Sequence, residues 1–94
     1  MTQTRRQELI THLEAGPATV RDLAELMNLR VRDVVEDLDH ALRSLGDRKL
    51  IVEPALCLKC DFAFEDRRRY TRPSRCPNCR GERITWPVLR IDKD

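Results

Sequence analysis

Four cysteines in two pairs constrain this chain more than any other feature. Two residues separate Cys57 from Cys60, two separate Cys76 from Cys79, and fifteen lie between the pairs. A two-residue spacing lets a tight turn aim both sulfurs at one point. Two such turns complete a tetrahedron of thiolates, each about 2.3 Å from a zinc ion. With all four positions filled by protein, no place is left for water or substrate. The pattern therefore implies one structural zinc per chain, not a catalytic one. Iron in a rubredoxin-like site takes the same ligands, and spacing alone leaves it open. A thioredoxin-like redox pair would belong on a strand–helix–strand unit, which is missing around these cysteines. Disulfides belong to oxidising compartments.

A metal also answers a problem of size. A hydrophobic core built from 94 residues is marginal, and small modules often add a metal staple. The formal charge is +2, and four thiolates around one divalent ion would bring it to zero. Net charge therefore argues for no particular partner. An arginine pair opens the chain, but no apolar run of signal-peptide length follows it, and nothing approaches the ~18 apolar residues of a membrane span. The expectation is a cytoplasmic protein with no membrane partner.

Residues 1–50 read as three helices. Leu9, Ile10 and Leu13 share one face of the first, and Thr4 with Gln7 has the form of a capping box. Gly16 and Pro17 break it. Thr19 and Asp22 start a second, with Val20, Leu23, Ala24 and Met27 apolar. After a short Asn28–Arg30 turn, Val31, Val34, Val35, Leu38, Leu42 and Leu45 form a long stripe that predicts a third helix over 31–45, closed by Gly46. His12 and His40 read as helix-surface positions.

The second half changes character. Residues 49–57 and 83–91 are β-type runs, interrupted by Pro54 and Pro87, so each strand should be an edge or bulged there. Phe62 and Phe64 mark a short strand-like piece between them. Residues 1–50 carry eight Lys and Arg against nine Asp and Glu; residues 51–94 carry ten against seven. The basic surplus lies with the cysteines.

Three helices with a tight second-to-third turn, then a hairpin, describe an α+β winged helix-turn-helix, whose third helix enters the major groove of DNA. Arg30 and Arg32 stand at the start of that helix and are the candidate base contacts. Asp33, Glu36 and Asp37 follow and should face outward with His40 and Arg43. That acidity opposes a phosphate surface, and a helical protein-interaction domain is the rival reading. Beside the cysteines, Lys59, Arg75 and Arg80 suit relief of thiolate charge. Arg67, Arg68, Arg69 and Arg72, with Tyr70, lie further off. They read either as a phosphate grip with an aromatic ring or as a solvated loop.

The stretch Thr19–Leu45 resembles the helix-turn-helix of ArsR- and MarR-like regulators. Residues 53–91, with the Pro73–Cys79 context "PSRCPNC", resemble the second half of an archaeal-type family of predicted transcriptional regulators. That family fuses a winged helix-turn-helix domain to a rubredoxin-like zinc ribbon inserted in the wing. The resemblance implies a winged domain from 1–56 and 84–94, with the ribbon at 57–83. Asp61 departs from the pattern, because many zinc knuckles have glycine after the second cysteine. The implied function is DNA-binding regulation of transcription, without enzymatic activity. Expected partners are double-stranded DNA, the transcription machinery and a second copy of the chain across two half-sites. Alternatives are an adaptor docking a protein through the ribbon, or RNA binding by the ribbon.

Overall fold

The computed structural model describes residues 4–65 and 70–92. Helix α1 spans Arg5–Ala15, α2 spans Val20–Met27 and α3 spans Val31–Ala41. Strands β1 (Lys49–Glu53) and β2 (Val88–Asp92) pair antiparallel, with Lys49 opposite Asp92 and Glu53 opposite Val88.

Two of the three helix starts follow from side-chain caps, while α3 starts at Arg30 without one. Thr4 Oγ1 accepts from the Gln7 backbone N–H at 3.2 Å, and Gln7 Oε1 accepts from the Thr4 N–H at 3.0 Å. Thr19 and Asp22 repeat the arrangement at 3.1 Å in both directions. Each cap satisfies donors that a helix start leaves open, and contributes about 1 kcal/mol. Helix α2 ends at Asn28, whose φ of 54° lies in the left-handed region that asparagine tolerates. The Leu29 N–H then closes onto the Ala24 carbonyl at 2.9 Å, which turns the chain sharply into α3.

The third helix is shorter than its apolar stripe predicts. It tightens to a 3-10 turn over Leu42–Ser44, and Gly46 at φ 64° ends it. The stripe still packs: Val34, Leu38 and Leu45 are buried with Ala41, Leu9, Leu13, Val20, Leu23 and Ala24, and Val31, Val35 and Leu42 are partly buried against them. Leu89 and Ile91 of β2 complete this cluster. Ala18, between α1 and α2, exchanges backbone hydrogen bonds with Leu89 at 2.9 and 2.8 Å. The helices are therefore stitched to β2 as well as packed on it.

The prolines lie at strand ends. Glu53 is the last residue of β1 before Pro54, and Val88 the first of β2 after Pro87. Beyond them pairing resumes briefly: Cys57 bridges Ile84, and the Leu58 N–H donates to the Arg83 carbonyl at 2.8 Å. A second cluster forms there from Ala55, Cys57, Phe64, Cys76 and Ile84, with Cys60 and Cys79 against it. Phe62 meets Phe64 edge to face at 5.1 Å. Trp86 packs instead on the helical cluster. Among the described residues, no helix is long and apolar enough to cross a membrane.

Asp37 corrects one expectation. Sequence placed it outward on α3, but it is buried, and both of its oxygens accept from the Arg5 guanidinium. A carboxylate at the α1–α3 contact needs such a fork, because a buried charge without partners is costly. Asp37 in turn raises the Arg5 pKa above its ordinary value through these hydrogen bonds and its charge. Replacing Asp37 by alanine should lower the thermal midpoint well below that of Glu36→Ala, which removes an exposed acid one residue away. Equal midpoints for the two variants would deny the fork a structural role.

Candidate metal centre

The two cysteine pairs fold alike. In the first turn, the Asp61 N–H donates to the Cys57 carbonyl at 2.9 Å and the Cys57 N–H to the Phe62 carbonyl at 2.9 Å. In the second, the Arg80 N–H donates to the Cys76 carbonyl at 2.8 Å and the Cys76 N–H to the Gly81 carbonyl at 2.9 Å. The residue after each second cysteine is left-handed: Asp61 at φ 63° and Arg80 at φ 61°. Closing the turn requires that conformation, which glycine adopts without strain. The sequence departure at Asp61 is thus repeated at Arg80, and both turns form.

These turns bring the four sulfurs within 4.8 Å of one another. Cys57 Sγ lies 3.5 Å from Cys79 Sγ, and Cys60 Sγ 3.6 Å from Cys76 Sγ. A disulfide would need about 2.05 Å. Four sulfurs ~2.3 Å from a central zinc would be about 3.8 Å apart, close to both distances. The cluster could hold one metal ion. Cys57 and Cys76 are buried, whereas Cys60 and Cys79 are partly open.

Donors converge on the two open sulfurs. Asn78 Nδ2 donates to Cys60 Sγ at 3.4 Å, and the Gly81 N–H donates to Cys79 Sγ at 3.4 Å. Asn78, aided by the Phe62 backbone, holds the Cys60 thiol down to about 6. The Gly81 N–H favours the Cys79 thiolate, but desolvation and the thiols of Cys57, Cys60 and Cys76 outweigh it and push Cys79 up to about 11. Such crowding opposes a second thiolate charge unless a cation lies between the sulfurs. Among the described residues, the hydrogen bonds to these sulfurs come from Asn78 and a backbone amide, beside the cations Lys59, Arg75 and Arg80 expected near them. The signal for Asn78 was its position inside the second cysteine pair.

The other candidate residues are dispersed. Arg30 is the N-cap residue of α3 and Arg32 lies in its first turn; both are exposed. Arg72 is exposed, while Arg67, Arg68 and Arg69 lie outside the described residues. Tyr70 is half-buried against the helical cluster, and burial raises its pKa. Tyr70 and Glu65 line one groove with Leu42, Leu45 and Lys49. The chain therefore returns to the helices at Tyr70, where sequence placed it at a distant tip. Its ring finds apolar cover there.

Residues 4–51, just over half of the chain, match a family model described as PF0610-like, N-terminal. The chain belongs to the PF0610-like family. The match spans all three helices and the start of β1; the cysteines lie beyond it. The fold of the whole chain is similar to the solution NMR structure of protein PF0610 from Pyrococcus furiosus, with a TM-score of 0.76 and 27% identity. That likeness covers 100% of this chain and 96% of the other. No curated protein matches.

Gly81 supplies a test of the centre in this PF0610-like chain. A Cβ there would stand 3.2 Å from Cys79 Sγ and 3.4 Å from Lys59 Cδ. Lysine can shift, but a sulfur fixed by a metal cannot. Gly81→Ala should cost about 1–3 kcal/mol through overpacking. The loss should appear as weaker metal retention in a chelator titration. Unchanged retention would mean that Cys79 is not held.

Proposed function

We propose that this protein binds double-stranded DNA and regulates transcription, with a zinc ribbon serving as structural support. In this reading α2 and α3 are the helix-turn-helix, and β1 and β2 form the wing. The ribbon, 57–83, interrupts a winged domain of residues 1–56 and 84–94. Cys57, Cys60, Cys76 and Cys79 hold one zinc. Soft thiolates suit zinc or iron, and the S···S separations fit a tetrahedron of that size. Zinc would order residues 57–83, and the reading assigns it no catalytic step.

The observation that carries the reading is the burial of Asp37. Sequence gave α3 a surface too acidic for phosphate. With Asp37 withdrawn and neutralised by Arg5, the exposed charges are Arg30, Arg32 and Arg43 against Glu36 and Asp39, with Asp33 half-buried. The two leading arginines make no ion pair among the described residues. They stand at the end of α3 that approaches base edges in helix-turn-helix proteins. Arg72, with Arg67–Arg69, would add phosphate contacts, and the open part of Tyr70 would abut the backbone. A second copy would extend the contact across a paired half-site.

Salt titration of duplex binding tests this. If Arg30 and Arg32 each neutralise one phosphate, alanine at either should flatten the slope of log K against log salt by about 0.9. If they read base edges, each change should cost about 1–3 kcal/mol on the preferred sequence and little on random duplex. The triple replacement of Arg67, Arg68 and Arg69 should flatten the slope by roughly 2–3 units. Unchanged affinity and slope in all these variants would remove the proposed contacts.

A further inference from the structure

The cysteine module exposes apolar surface that neither the metal nor DNA explains. Along its first strand-like segment, exposure alternates: Ala55 and Cys57 are buried, Leu56 and Leu58 exposed. The pleat sends one set to the core and the other to the opposite face. Leu58 is 66% exposed and Leu56 44%, among the largest exposed apolar side chains of the described residues. Leu58 also borders a groove of about 810 Å³, lined by Lys59, Arg80, Gly81, Glu82 and Arg83. The Lys59 stem lies beside Gly81, and Lys59 lines the groove. Among the described residues, Lys59, Arg80 and Arg83 make no ion pair, and Glu82 is the groove's only acid.

We infer that this groove docks a protein partner through an acidic segment carrying an apolar anchor. On the exposed lining, Lys59, Arg80 and Arg83 outnumber Glu82, over a partly buried four-thiolate centre that would carry −2 with a divalent ion, and these exposed cations supply the charge complementarity. Leu58 supplies the apolar contact in the groove, with Leu56 exposed on the same face of its segment, and a phosphate backbone would leave both unused. A nucleic acid would also bring continuous negative charge past Glu82 and would want an aromatic ring for its bases. The groove has none, since Tyr70 lies in a different groove with Leu42 and Leu45. A peptide can space its carboxylates to avoid Glu82. The centre fixes the site's shape, because Leu58 and Lys59 sit between Cys57 and Cys60, and Arg80 and Gly81 follow Cys79. This inference goes beyond DNA binding and does not depend on it, since Arg30 and Arg32 take no part.

Titration of the metal-loaded, nitrogen-15-labelled chain with a short Glu/Asp-rich peptide holding a central Leu-Phe pair tests it. Amide signals of residues 58–59 and 80–83 should shift and saturate. The same peptide with alanine for Leu-Phe should bind at least about tenfold more weakly. Leu58→Ala and Arg83→Glu should each weaken the first peptide about tenfold. Both side chains are exposed, so both variants should keep the fold and metal content of the parent, which circular dichroism and metal analysis check. The inference is overturned if no shifts occur, if the alanine peptide binds equally, if neither variant matters, or if duplex or single-stranded oligonucleotides shift these amides in the peptide's place.

Discussion

Serine in place of Cys57 or Cys79 is expected to release the metal and unfold residues 57–83 while much of the helical signal survives. Around the cysteines the segment contributes Phe64 to a small core that Ala55 and Ile84 complete from just outside it. That is too little apolar surface to offset the entropy of ordering the chain. A structural zinc contributes roughly 10 kcal/mol or more to small modules of this kind. The helices should persist because Leu89 and Ile91 belong to their cluster, not to the cysteine cluster. Far-ultraviolet circular dichroism with limited proteolysis separates the two halves. Cleavage should concentrate in 57–83 of the variant. Full resistance there, with the metal gone, would contradict the account.

Deleting residues 84–94 should have the opposite reach. It removes β2, and with it Leu89, fully buried, and Ile91, nearly so. It also removes the backbone hydrogen bonds between Ala18 and Leu89 and the α1–β2 packing. Truncating one buried large aliphatic residue costs about 2–5 kcal/mol. Losing two, plus the strand, approaches the whole stability of a small domain, about 5–15 kcal/mol. The helices should therefore melt with the deletion, and Leu89→Ala alone should lower the midpoint markedly. Helices as stable as in the full chain would mean that the second half is merely appended. Thermal unfolding followed by circular dichroism reads either outcome directly.

Much of this was legible in the sequence because it is local. Thr4 with Gln7 and Thr19 with Asp22 announced both side-chain caps, since the capping box joins residues only three positions apart. The cysteine spacing announced each two-residue turn for the same reason, and the cluster because four thiols in that pattern suit one shared ion. Gly46 announced the end of the third helix, but not the tightening of its last turn into a 3-10 helix. What stayed hidden depends on contacts distant in sequence. Asp37 looked like one more polar position, and only the packing of α1 against α3 brings Arg5 to it. Tyr70 looked like a free ring beside arginines, until the fold placed apolar helix surface within its reach. Asn78 stands out only once the turns aim Cys60 at its amide. The prolines were read as interruptions of edge strands, and each lies between the end of the β1–β2 pairing and the Cys57–Ile84 bridge beyond it. A residue lacking an N–H can sit at either place, and the register decides.

Duplex binding by the metal-loaded wild-type chain tests the central proposal most directly. Labelled genomic fragments, titrated at a series of salt concentrations, should bind with log K falling linearly against log salt. At least one fragment should bind well above random duplex. No binding to any duplex at the lowest salt would contradict the account.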